Sequence, residues 1–131
     1  MNSKRIVILS ALACAGLAFP MAGTAAAADG ELTMTVTPEG ASAATVLTLT
    51  CNPDGGDHPN ADAACAEIEA AQGDFEALPG EPAVLCTFIY EPVTVTATGT
   101  WRGQEVSYEQ TFPNTCELIR ETGSVFVPEL P

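Results

Sequence analysis

From Leu32 the chain alternates, with Leu32, Met34 and Val36 on one side and Thr33, Thr35 and Thr37 on the other. This period of two predicts a half-buried strand, closed by Pro38. Val46 to Cys51 repeats the pattern, with Leu47, Leu49 and Cys51 turned inward and Thr48 and Thr50 outward. Asn52-Pro53-Asp54-Gly55-Gly56 then breaks the chain. Asp62 is the expected cap of a helix through Ala64, Glu67 and Ala70, stopped by Gly73, with Cys65, Ile68 and Ala71 or Gln72 on one face. A short turn over Phe75 to Leu78 ends at Pro79-Gly80. Two further strands, Pro92 to Trp101 and Gln104 to Phe112, meet at Arg102-Gly103, where a glycine in a tight link signals a hairpin. A helical turn from Glu117 to Glu121, capped by Gly123, leads to a last strand, Ser124 to Val127. About five strands with two short helices set apart from them predict an α+β fold built on an antiparallel sheet.

The start of the chain follows a different rule. Lys4 and Arg5 precede an apolar run from Ile6 to Met21, and small residues end at Ala26 and Ala28. These are the three parts of a secretory signal peptide, so residues 1–28 are expected to be removed and residues 29–131 to form one exported domain. The run is too short for a membrane span, and no membrane association is expected after cleavage. Both lysine-arginine charges of the leader leave with it. Two arginines, Arg102 and Arg120, then face all 17 acidic residues, for a net charge of −15. That sign excludes the basic stripe a nucleic-acid binder needs. It serves solubility outside the cell.

A domain of this size buries a core with little margin. Four cysteines remain after the leader: Cys51, Cys65, Cys86 and Cys116. An even number in a small exported domain reads as two disulfides, and four cysteines allow three pairings that sequence does not decide between. Pairing neighbours would close loops of about 15 and 31 residues, for roughly 3 and nearly 4 kcal/mol in the chain-entropy picture. No C-x-x-C spacing suggests zinc, and no calcium loop is present. Neither a metal nor a cofactor is expected. The single histidine, His58, is expected to be a solvated loop residue. No serine sits in a G-x-S-x-G elbow, and each mature cysteine has a partner, so catalysis is the weak reading. An exported hydrolase using a serine or His58 is the least favoured alternative.

One segment stands apart. Glu81 to Pro92 brackets Leu85, Phe88, Ile89 and Tyr90 between prolines, with Cys86 in the middle. Each proline discourages helix at the residue before it. Such a run is either a buried strand or an exposed loop held rigid for a partner.

At this point the sequence resembles the Streptomyces subtilisin inhibitor family, small dimeric proteins secreted against serine proteases. The resemblance covers essentially the whole mature chain. It rests on Leu-Thr-Cys at 49–51, His58-Pro59, Ala64-Cys65 and Cys86-Thr-Phe-Ile-Tyr-Glu-Pro-Val93. It continues through Gly99-Thr-Trp101, Val106-Ser-Tyr108-Glu109, Asn114-Thr-Cys116-Glu117 and Gly123-Ser-Val-Phe126. It implies a scissile bond at Phe88-Ile89, with Phe88 as P1, Ile89 as P1′, Thr87 as P2, Cys86 as P3, Leu85 as P4 and Tyr90 as P2′. It implies disulfides 51–65 and 86–116, support of the loop by Asn114, a homodimer, and subtilisin-type proteases outside the cell as partners. Thr87 departs from the proline of the founding member at P2, though a β-branched residue still favours extended backbone. The competing expectation is a secreted binding or structural domain of the same fold without inhibitory activity.

Overall fold

A computed structural model of the chain describes Gly16 and residues 28–126. The expected leader lies almost wholly outside these residues, as does the chain beyond Phe126. Four strands form where the period-two pattern places them. They are β1 (Gly30–Pro38), β2 (Thr45–Cys51), β4 (Val93–Trp101) and β5 (Gln104–Phe112). With the two-residue β3 (Gly55–Gly56) they make one antiparallel sheet in the order β3-β2-β1-β4-β5. Helix α1 (Ala61–Ala70), a 3-10 turn at Phe75–Ala77 and helix α2 (Thr115–Thr122) complete the chain. None of the described helices is long and apolar enough to cross a membrane.

The register explains why alternation was a sound guide. Leu32 pairs with Leu49 on β2 and with Gly99 on β4, and Met34 faces Ala97. One face of the sheet therefore carries Leu32, Met34, Leu49, Val95, Ala97 and Val106, all buried. The helices and the segment after α2 cover it with Ile68, Leu118, Val125 and Phe126. The other face is threonine-rich. Thr35 and Thr96 sit opposite each other and are joined through their hydroxyls, and Thr94 meets Thr111 at 2.8 Å. Cross-strand pairs of this kind each add a few tenths of a kcal/mol or more to sheet pairing. Phe75, Tyr108 and Phe126 gather at one end of the core, with ring centroids 5.5 to 6.0 Å apart. Trp101 closes the other end. It is packed so tightly that a Cβ on Gly73, which also holds φ +80°, would come within 2.5 Å of the indole. Only glycine meets both demands there.

Four sequence expectations are corrected. Of the strand expected at Ser124 to Val127, Val127 lies outside the described residues and the rest does not form, residues 123–126 being turn and bend. Val125 and Phe126 are fully buried, but the Ser124 N–H and the Val125 carbonyl bond to the side chains of Glu67 and His58 and not to a ladder. The fifth strand is instead β3, inside the glycine pair that reads as a break. Asp57 produces it by accepting hydrogen bonds from the Thr48 main-chain N–H and hydroxyl, folding residues 55–57 back along β2. These bonds hold the Asp57 carboxyl below its ordinary value, the main-chain donor contributing most. Asn60, not Asp62, stands at the N-cap of α1, and Asp62 lies in its first turn. The helical turn expected at Glu117 to Glu121 is a longer helix that starts at Thr115.

His58 is the fourth. It is 5% exposed, not solvated. Its Nδ1 accepts from the Asn60 main-chain N–H at 3.0 Å, which leaves the proton on Nε2 to donate to the Val125 carbonyl at 2.8 Å. The ring thus ties the start of α1 to the chain segment after α2.

Candidate functional site

Between the 3-10 turn and β4, residues 79–92 form no strand or helix. Prolines 79, 82 and 92 bar both, since each lacks a donor and restricts the residue before it. The segment nevertheless has a defined path, because main-chain and side-chain bonds fix it at intervals. Gly80 holds φ +60° against the carbonyls of Arg120 and Glu121, where a Cβ would collide with the Arg120 oxygen. Glu81 then donates its N–H to that Arg120 carbonyl at 2.9 Å, and Val84 turns back onto the Glu81 carbonyl at 3.0 Å. Cys86 is joined to Cys116, Cα to Cα 5.7 Å, and Cys51 to Cys65, 5.6 Å. This is the pairing the resemblance implied. Past the exposed stretch, the Glu91 N–H donates to the Pro113 carbonyl at 2.9 Å. The Pro92 carbonyl accepts from Glu39 N–H at 2.9 Å.

Asn114 is the centre of this bracing. It is 8% exposed. Its Oδ1 caps α2 by accepting from Glu117 N–H at 2.8 Å. Its Nδ2 donates outward to two loop carbonyls, Thr87 at 3.3 Å and Ile89 at 2.8 Å. One buried amide therefore bonds to the residue on each side of Phe88. Both halves of that amide are needed, the oxygen for the helix and the nitrogen for the loop.

What the bracing presents is unusual in composition. Phe88 is 105% exposed and Leu85 95%, with Ile89 and Tyr90 also open to water. Apart from Val46, these are the large hydrophobic side chains exposed among the described residues. Exposed apolar groups grouped on one rigid segment mark an interaction site more often than scattered ones do. The sequence-predicted residues Leu85, Cys86, Thr87, Phe88, Ile89, Tyr90 and Asn114 are thus brought together. The anchors at Pro113, Arg120 and Glu39 were not foreseen. They act through main-chain atoms, which carry no side-chain signature.

Farther from the loop, α1 secures the end of α2. Glu67 accepts from the Ser124 N–H at 2.8 Å and lies against Gly123. Burial pushes the Glu67 carboxyl above the usual value of 4.5, the Ser124 N–H opposes this, and the charge of Glu81 adds to it. A carboxyl with a raised native value favours the protonated folded state. Its contribution is full below the ordinary glutamate range and is lost as pH rises through the raised value. Replacing Glu67 by Gln keeps an acceptor for Ser124 and removes the charge. The midpoint of urea unfolding in Glu67→Gln is expected to decline less than that of the parent between pH 4 and pH 7. Burial also raises the Tyr108 hydroxyl, helped by Glu76 and Glu121. Cys51 and Cys65 lie close to Asp54, but the two sulfurs are bonded to each other, so neither offers a thiolate.

The described residues thus form a two-disulfide α+β domain that holds an extended apolar loop outside its core. Residues 26–114 match the subtilisin inhibitor-like family, and the chain belongs to that family. It is 50% identical over 100 residues to subtilisin inhibitor-like protein 5 of Streptomyces fradiae, covering 76% of this chain and 89% of that one. It is 50% identical over 105 residues to subtilisin inhibitor-like protein 3 of Streptomyces coelicolor, covering 76% and 97%. Among solved structures it resembles Streptomyces caespitosus sermetstatin, crystallised in complex with Bacillus licheniformis subtilisin. The TM-score is 0.55 and the identity 32%, over 73% of this chain and 94% of that one.

Proposed function

We propose that this protein is a secreted inhibitor of subtilisin-type serine proteases, and of chymotrypsin-like ones, that acts as a rigid substrate with its scissile bond at Phe88–Ile89. The observation that carries this reading is Phe88 itself, fully exposed on a loop whose flanking carbonyls are both held by Asn114. The relatives named above, and the subtilisin in the sermetstatin complex, support the partner class.

The geometry of the loop supports a substrate-like mechanism. A protease receives substrate as an added strand, with alternate side chains in its pockets. Phe88 fills S1, Leu85 reaches S4 and Tyr90 lies on the primed side. Because the loop is ordered before binding, little conformational freedom is lost on docking. Attack of the protease serine on the Phe88 carbonyl releases the Ile89 amine. That amine does not leave, since Ile89 stays on Asn114 and Glu91 on Pro113. The acyl side is held by the 86–116 bridge and by the bond from Asn114 to Thr87. The amine's high effective concentration favours resealing over attack by water. The protein is a partner of enzymes and performs no chemistry of its own.

Residues 1–28 act as the export signal, and residues 29–131 are the inhibitor. The mature protein is a homodimer, in keeping with its family, which sedimentation at micromolar concentration would report as twice the chain mass. Prolonged incubation with a trace of subtilisin is expected to create one new amino terminus, at Ile89. A first cut elsewhere in the loop would displace the assignment of Phe88 as P1.

A further inference from the structure

We infer that the primed-side flank of the loop is a specificity surface, which selects proteases carrying a basic side chain on the wall that faces Tyr90. This rests on the reading of Phe88–Ile89 as the reactive bond. The turn after β1 and the end of the loop enclose a groove of about 410 Å³, lined by Pro38, Glu39, Tyr90, Glu91, Pro92 and neighbouring residues. Its lining includes two prolines and Tyr90, which is 75% exposed. Its charge is of one sign. Among the described residues the arginines pair elsewhere, Arg102 with Glu69 and Arg120 with Glu117, and no ion pair involves Glu39 or Glu91.

The two residues are also placed, through their backbone. Glu39 N–H bonds the Pro92 carbonyl and Glu91 N–H bonds the Pro113 carbonyl, each at 2.9 Å. Both residues therefore belong to the frame that holds the scissile bond, and they dock whenever it docks. The groove is continuous with the loop through Tyr90. A lysine or arginine of the docked enzyme would lay its stem on the prolines and the tyrosine ring and set its charged head beside the carboxylates. An acidic side chain at the same place would be repelled, so the surface discriminates by exclusion as well as by attraction. Most of the effect of such rim charges falls on the association rate and its salt dependence.

The test uses two forms of one subtilisin that carry Lys or Glu at a single position on the wall facing Tyr90. Exposed charge pairs are worth roughly two- to fivefold each. The unaltered inhibitor is therefore expected to bind the Lys form at least about tenfold more tightly than the Glu form at low salt. The double variant Glu39→Gln, Glu91→Gln keeps both main-chain bonds and should bring that ratio to within about twofold. Inhibition of both forms with a ratio that the double variant leaves unchanged would overturn the inference alone. Failure of the unaltered protein to inhibit either form would overturn the reactive-loop reading, and the inference with it.

Discussion

Phe88→Lys is expected to move inhibition from chymotrypsin to trypsin. Phe88 is fully exposed in the free protein, so the whole ring becomes available for burial on docking. Some 150–250 Å² at ~25 cal/mol/Å² gives an upper bound of about 4–6 kcal/mol for filling an apolar S1 cleft. Lysine keeps part of that through its stem but must desolvate an ammonium. Binding to chymotrypsin should weaken by at least about a hundredfold, with each tenfold worth about 1.4 kcal/mol. A trypsin-type S1 pocket has the opposite requirement. Its buried aspartate is left unpaired by phenylalanine and is satisfied by lysine. Inhibition constants of the parent and the variant against both enzymes check this. Equal potency of the parent against trypsin and chymotrypsin would remove Phe88 from P1. The fold should not be affected, because Phe88 contributes nothing to the core.

Asn114→Asp separates the two duties of one residue. Aspartate caps a helix as well as asparagine does, and its charge favours a helix N-terminus. The bond to Glu117 N–H therefore survives, so the helix cap is retained. The loop loses its donor. Where Nδ2 reached the carbonyls of Thr87 and Ile89, a carboxylate oxygen would now face two acceptors. Two hydrogen bonds at about 1 kcal/mol each amount to about 2 kcal/mol of lost bracing, or roughly thirtyfold. The expected result is a variant that still binds subtilisin but is cleaved about thirty times faster at Phe88–Ile89. The cleavage rate of the loop, followed by mass spectrometry, reads this directly. A variant as resistant as the parent would show that the bond to Asn114 is incidental to inhibition.

How much of this was legible in the sequence depended on how each residue is held. Strands β1, β2, β4 and β5 could be read because one face is buried, which imposes a period of two on threonine and aliphatic residues. Strand β3 could not, since two glycines carry no pattern and its pairing is created by Asp57. Ser124 to Phe126 shows the opposite failure. Short apolar runs do not reveal their conformation, and here the Ser124 N–H goes to Glu67 and the Val125 carbonyl to His58. The burial of His58 is not legible, because one histidine among aspartates, glycines and prolines has no periodicity to betray it.

The loop was legible in part. Its prolines and cysteine marked it as extended and tethered, and the choice between buried strand and presented loop came from the resemblance. The position of Asn114 three residues before Glu117 carries a helix-start signal, and that cap sets the amide against the loop. The anchors on Pro113 and Arg120 are carbonyl oxygens, which every residue possesses. No side-chain pattern could have announced them.

Residues 79–92 would act as a ready-made substrate that a protease binds and does not efficiently consume. The most direct test is a titration of subtilisin at nanomolar concentration with the purified, oxidised mature protein, residues 29–131, while residual activity is followed. A linear fall to near zero at a fixed stoichiometry of chains to enzyme is expected. Unchanged protease activity in the presence of protein with both disulfides intact would contradict it.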